Sequence, residues 1–295
     1  VAISRVGDFI GDSGFEKVGR RPTRVKKSKA DKQEKDLFYS CKVSGRVEIC
    51  RDMSHHTIET SPPGTPLEAR GVGEIVAGHP GLSRVFQAHG IDFCCQGGRT
   101  LRDACERKGV DLKTVVGELE AATAVDPEPR ENPAELPASE LADYIVATHH
   151  GYLRDELPRL HAMAERVANV HGPHTPSLKE VHEVFAAMMT ELAEHMVKEE
   201  EMLFPAIRSA AKGERVMPLD GPINCMLHEH DDAGAALVRL RELTAGYQPP
   251  PEACNTYRAL FAGLADLEED LHRHIHLENS VLFPAAQTMQ ERAAS

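Results

Sequence analysis

Two segments of this chain carry the same pattern of a histidine, a carboxylate four residues later, and Leu-Phe-Pro. One is His195-Met196-Val197-Lys198-Glu199-Glu200-Glu201-Met202-Leu203-Phe204-Pro205. The other is His274-Ile275-His276-Leu277-Glu278-Asn279-Ser280-Val281-Leu282-Phe283-Pro284. On a helix, residues four apart lie on one face, so each copy aims an imidazole and a carboxylate at one spot. Two copies packed face to face would bring His195, Glu199, His274 and Glu278 to one centre. Such a centre suits metal binding, with room for two ions.

The elements that must position these groups are long helices. Ser139, with Glu140 and Asp143 in the first turn, opens a helix that runs to His171 and stops at Gly172-Pro173. A second is expected from Ser177 to Ala211, a third from Pro222 to Gly246, and a fourth from Glu252 to Arg292. Four long helices with short connections predict an up-down-up-down bundle over residues 139–292.

The repeat extends to the bundle's other two helices. His150 precedes His195 by 45 residues, and His230 precedes His274 by 44. At about 1.5 Å per residue, His150 and His195 lie level, about 30 Å from their shared connection. His230 and His274 also come out level, about 24 and 31 Å from theirs. Four histidines and two glutamates are thereby expected in one layer: His150, His195, Glu199, His230, His274 and Glu278. Glu191 and Asp270, one turn before the two motif histidines, are expected to orient those imidazoles from behind. His149 competes with His150 for the ligand position, and spacing favours His150. His171 falls about 31 Å from His150 and reads as a helix-end residue. His182 is also far from the layer, and His228, His272 and His276 point elsewhere. The Leu-Phe-Pro tails read as core residues with a proline kink after the site.

Imidazole and carboxylate without thiolate suit iron, manganese or zinc. Two ions sharing both glutamates would each take two histidines. An oxo or hydroxo bridge would complete five-coordination and leave a position open on each ion.

The rest of the chain is less regular. Of 295 residues, none is tryptophan and the formal net charge is −12. Residues 1–52 hold 13 Lys and Arg against 8 Asp and Glu, and the remainder holds 21 against 38. An acidic body argues against nucleic acid as the main partner. No apolar run is long enough for a membrane span, and no secretory signal core is present. Residues 1–66 keep no helix or strand period and read as a disordered leader, a basic nucleic-acid tail being the alternative. Met53 is the expected true start, with residues 1–52 upstream of it. Residues 67–122 read as a small unit of three or four short helices between glycine turns. Residues 123–138 read as a linker rich in proline and acid.

The seven cysteines include an adjacent pair, Cys94-Cys95. They show no framework spacing and read as reduced thiols. Adjacent cysteines are less suited to chelating one metal than a C-x-x-C pair. By this reading alone they are an accessible thiol pair with no assigned task. Cys105, Cys225 and Cys254 read as structural, and Cys41 and Cys50 lie in the leader.

The bundle segment resembles the hemerythrin-like family. Residues 67–292 resemble, more closely, the "repair of iron centres" proteins. The motifs that carry this are GIDFCCQGGRTL, RDELPRL, VHGPHTPSL and PPPEACNTYRAL, with the two His-Glu-Leu-Phe-Pro segments. The resemblance implies an all-α protein: a small N-terminal helical domain, then a hemerythrin-like bundle holding two non-haem iron ions. It implies iron-sulfur cluster proteins damaged by nitrosative or oxidative stress as partners, and donation of labile iron as the repair step. Nitric oxide or oxygen would be small ligands, and the protein would work as a homodimer in the cytoplasm. Cys94 and Cys95 would relay iron, electrons or a nitrosyl group. A nitric oxide reductase and a nitric oxide or oxygen sensor are the alternatives.

Overall fold

A computed structural model describes residues 61–62, 64–125 and 132–294. Leader residues 1–60, Met53 among them, with Pro63 and linker residues 126–131, lie outside the described residues, whereas Ser61 at the leader's end donates to Glu74 at 2.7 Å. Those described are helical, joined by turns, with a single isolated bridge between Gly71 and Thr100.

Four short helices make the small domain: α1 (Val72–Gly78), α2 (Ser83–Ala88), α3 (Leu101–Lys108) and α4 (Leu112–Val125). The start of α3 is fixed by Thr100, whose side chain accepts from the Asp103 amide, and its end by Gly109 at φ 67°. Val72, Ile75, Val76, Phe86, Phe93, Leu101, Val115 and Leu119 form the core of this domain, and Ile275 of the bundle joins it.

The bundle helices are α5 (138–171), α6 (177–211), α7 (Asp220–Leu243) and α8 (255–294). All four begin and end within a few residues of the sequence expectation. Leu153, Leu157, Leu160 and Val167 on α5 repeat at helical spacing and meet Val181, Phe185, Met188 and Leu192 on α6. Leu237 and Leu240 on α7 and Leu260, Leu264, Leu267 and Leu271 on α8 complete this apolar segment. Leu141, Ile145, Phe204, Ile207, Ile223, Met226 and Phe283 are buried beyond the histidine layer. The polar layer therefore lies between two apolar segments.

Three of the four long helices contain a π turn: Val146–His150, Glu199–Leu203 and Glu278–Leu282. Phe204 N–H donates to the carbonyl of Glu199, and Phe283 N–H to that of Glu278, each five residues back. The irregularity expected after the site thus takes the form of a π turn that opens at the glutamate and ends before the proline. Pro205 and Pro284 offer no N–H and crowd the carbonyl four residues back, so a regular α-turn is unfavourable there.

The small domain packs against α8. The ring of Phe93 contacts those of His272 and His276, at 6.0 and 5.6 Å between centroids. Burial pushes the pKa of His276 down to about 4, so this contact is made by a neutral imidazole. Gly73 donates to the carbonyl of Gly97, and a Cβ on Gly73 would lie 2.8 Å from Ser280 Oγ and 3.0 Å from Gly97 Cα. Gly73→Ala should lower stability by about 1–3 kcal/mol, because the backbone of Gly97 cannot yield. A thermal melt checks this, and an unchanged midpoint would refute the tight approach.

Candidate metal centre

His150 closes the π turn of α5, while Glu199 and Glu278 open those of α6 and α8. His195 and His274 sit one turn before these glutamates, and His230 lies within α7. The six side chains meet in two overlapping groups whose ligand atoms lie within 4.8 Å of one another. One group is His150, His274, Glu199 and Glu278; the other is His195, His230, Glu199 and Glu278. Both glutamates are shared. Each histidine pair combines the two halves of the sequence repeat, because α5 packs beside α8 and α6 beside α7.

None of the six is more than 2% exposed. Two carboxylates buried this deeply are costly unless positive charge meets them. Glu199 Oε2 lies 3.3 Å from Nε2 of both His150 and His195. Glu278 reaches Nε2 of His230 at 3.1 Å and of His274 at 3.0 Å. Both oxygens of Glu199 and Oε2 of Glu278 still have no hydrogen-bond partner among the described residues.

The outer nitrogens explain why the inner ones face each other. His150 Nδ1 is 2.6 Å from Glu200 Oε1, His195 Nδ1 is 2.8 Å from Glu229 Oε2, and His230 Nδ1 is 2.7 Å from Asn279 Oδ1. Each acceptor draws the ring proton to Nδ1 and turns an Nε2 lone pair inward. His150 Nε2 then lies 3.2 Å from His274 Nε2, and His195 Nε2 lies 3.2 Å from His230 Nε2. Between His195 and His230, both held by an Nδ1 acceptor, facing lone pairs at that distance repel, whereas two nitrogens about 2.1 Å from one shared cation sit this far apart. The donor set therefore fits a divalent cation with nitrogen and oxygen ligands in each pocket.

The orienting groups differ from the expected ones. Glu229, not Glu191, meets His195; Glu191 is exposed on the outside of α6. Asp270 binds Nδ1 of His149 at 2.9 Å instead of holding His274. Ring nitrogens face neighbouring helices, so a carboxylate one turn back on the same helix is not the natural acceptor. Every orienting group is instead the chain neighbour of a ligand on the next helix: Glu200 beside Glu199, Glu229 beside His230, Asn279 beside Glu278. That adjacency is the signal by which the sequence could have revealed them. On α5 the corresponding position is His149, which stacks on His274 with centroids 5.3 Å apart. His274 Nδ1 is left buried without a partner among the described residues.

The phenylalanines of the repeated tails also serve this layer. Phe204 stacks on His150 at 5.8 Å and Phe283 on His230 at 6.0 Å, walling the rings with apolar surface. His171 ends α5, where its Nε2 faces Cys254 Sγ at 3.3 Å.

Cys94 is buried and Cys95 half-buried. Cys95 Sγ donates to the backbone carbonyl of His230 at 3.5 Å, and Asn279 Nδ2 donates to the Cys94 carbonyl at 3.2 Å. Asn279 thus touches a candidate ligand with one end of its amide and the cysteine loop with the other.

Residues 141–286 match the model of the hemerythrin HHE cation binding domain, and residues 68–123 match a domain of unknown function (DUF542). The iron-sulfur cluster repair protein YtfE of Musicola paradisiaca is 37% identical over 217 residues, covering 74% of this chain and 96% of that protein. The iron-sulfur cluster repair protein ScdA of Staphylococcus haemolyticus is 37% identical over 212 residues, covering 72% and 95%. YtfE of Yersinia pestis (strain Pestoides F) is 36% identical, covering 74% and 96%. This chain belongs to the iron-sulfur cluster repair protein family. The six-residue layer falls within the residues matched by the hemerythrin HHE model.

In the metal-free protein, a proton on His195 brings positive charge to the two glutamates. Burial pushes the pKa of His195 down, but Glu199, Glu229 and Glu278 outweigh it and hold the imidazole at about 10. A folded pKa above the unfolded value gives stability that is full below about 6.5 and lost as pH rises through 10. The metal-free protein should therefore lose thermal stability between those values, and the metal-loaded protein should lose less. Melting curves across this range check the difference. Asn279→Leu removes the acceptor from His230 and should weaken metal binding roughly 10–100-fold. Chelator competition measures this, and unchanged affinity would show that Asn279 does not orient the ring.

Proposed function

We propose that this protein holds two iron ions in the bundle and donates iron to iron-sulfur cluster proteins damaged by nitrosative or oxidative stress. The observation that carries the reading is the pair of overlapping ligand groups joined through Glu199 and Glu278. The repair names of the relatives support the cargo and the client class. Among the described residues no helix is long and apolar enough to cross a membrane. The finer features follow the family reading: oxo- or hydroxo-bridged ions, nitric oxide or oxygen as small ligands, and a homodimer in the cytoplasm. The relatives' names lend no support to nitric oxide reduction as the main activity.

In this reading His150 and His274 would hold one ion and His195 and His230 the other, with Glu199 and Glu278 within reach of both. Bound iron supplies a redox-active, Lewis-acidic centre and is itself the cargo. The chain's own groups set how firmly it is held. Glu200, Glu229 and Asn279 keep three Nε2 lone pairs directed inward, while Phe204 and Phe283 keep the rings from turning. Four imidazoles and two shared carboxylates are a small protein ligand set for two ions, which favours release. The pocket of His150 and His274 is the less firmly built, because no group among the described residues holds the outer nitrogen of His274. We assign to Cys94 and Cys95, beside His230, a relay of iron between bundle and client.

Iron-loaded protein mixed with an apo cluster protein and a sulfide source should build clusters, followed by their absorbance. Iron that stays on the bundle while nitric oxide is turned over with a reductant would sink the donor reading. Glu199→Leu and Glu278→Leu should each lower the iron content below that of the wild type. Full loading of either variant would remove the shared-glutamate assignment.

A further inference from the structure

Outside the bundle layer, the described residues contain one more group of ligand-type atoms near enough to share an ion: Asp92, Cys94 and Cys95. The two sulfurs are 3.8 Å apart, although the cysteines are adjacent in the chain. Two thiolates on one tetrahedral cation, at about 2.3 Å each, are separated by roughly that distance. Asp92 Oδ1 lies 3.3 Å from Cys94 Sγ, close to an oxygen–sulfur edge of the same tetrahedron.

The loop is built to hold this shape. Asp92 Oδ1 accepts from the backbone amides of Cys94 at 3.0 Å and Cys95 at 2.8 Å, which folds the chain tightly around the carboxylate. Asn279 fixes the Cys94 carbonyl, and Gly97 packs on Gly73 immediately after the pair. Cys95 remains half-buried, so an ion can reach the sulfurs.

We propose that Asp92, Cys94 and Cys95 form a second metal site, a thiolate site for a thiophilic divalent cation, set against the backbone of His230. Binding replaces the two thiol protons by two metal–sulfur bonds and releases both protons to solvent. Without an ion, the hydrogen bond with Cys95, then burial, push the Cys94 thiol pKa well up. Thiolate ligands select cations that bind sulfur strongly, so magnesium and calcium are excluded in favour of iron, cobalt, zinc or cadmium. The site stands on its own geometry. Its use as a halt for iron moving between bundle and client rests on the donor reading.

Cobalt(II) is the probe, titrated without oxygen into the reduced full chain. Thiolate ligation gives an intense near-ultraviolet charge-transfer band that nitrogen and oxygen ligands lack. The wild type and Glu199→Leu should both show the band, since it does not depend on the bundle layer. Cys94→Ser and Cys95→Ser should each abolish it, and Asp92→Asn should weaken cobalt binding on the order of tenfold. Absence of the band in the wild type overturns the assignment. So does its persistence in Cys95→Ser, which would trace it to other cysteines. Cys95 is only half-buried, so its variant decides the matter even if Cys94→Ser fails to fold. A normal cobalt band with no cluster formation in the transfer assay would fault the donor reading and leave the site intact.

Discussion

Two glutamates with no solvent exposure, surrounded by four imidazoles, set the terms on which this bundle folds. In an apolar interior each carboxylate needs a positive partner, either a protonated ring or a metal ion. The surroundings are arranged for the ion. Three outer nitrogens are engaged by Glu200, Glu229 and Asn279, which leaves three inner lone pairs facing the carboxylates. A protonated ring satisfies the charge and donates one hydrogen bond across 3.2 Å, whereas a cation meets both nitrogens and the shared carboxylates at once. Apolar segments above and below the layer keep water from these two carboxylates.

The same constraint accounts for the irregular helix turns. An α-helix offers the layer one residue per turn on its inner face. Glu199 and Glu278 open π turns that widen the backbone where the carboxylate must reach the middle of the bundle, and the following phenylalanine is carried round to stack on a histidine of a neighbouring helix. The eleven-residue repeat is therefore one device: ligand histidine, shared carboxylate, widened turn, ring wall, and a proline that disfavours return to a regular turn. α7 has no such turn and contributes His230 to the layer and Glu229 behind His195.

Much of this was legible in the sequence. Spacing and helix rise bring His150, His195, Glu199, His230, His274 and Glu278 to one level, and they set His171 aside, because both quantities depend only on backbone geometry that helices share. What was not legible depends on which helices are neighbours. Height cannot tell that His150 pairs with His274 and not with His195. Nor can it tell that a ring's outer nitrogen meets the next helix, which is why Glu191 and Asp270 were expected in roles that Glu200, Glu229 and Asn279 fill. The adjacent cysteines raise the opposite problem. Their chain spacing argues against chelation, yet the turn around Asp92 brings the sulfurs to 3.8 Å, a consequence of local folding that spacing does not report.

Asn279 shows why the two domains belong to one machine. Its carbonyl oxygen receives the Nδ1 proton of His230, and its amide donates to the carbonyl of Cys94. An ion on Nε2 makes the Nδ1 proton more acidic and tightens its hydrogen bond. A firmer bond fixes the amide, and the fixed amide steadies the cysteine loop. Linkage makes the effect reciprocal: whatever pulls the loop from Asn279 must loosen the ion on His230 by the same free energy. A client that draws the cysteine loop away from Asn279 would thereby favour release from the bundle. A store that only retained its metal would gain nothing from such a connection, whereas a donor needs the arrival of a recipient to be felt at the metal.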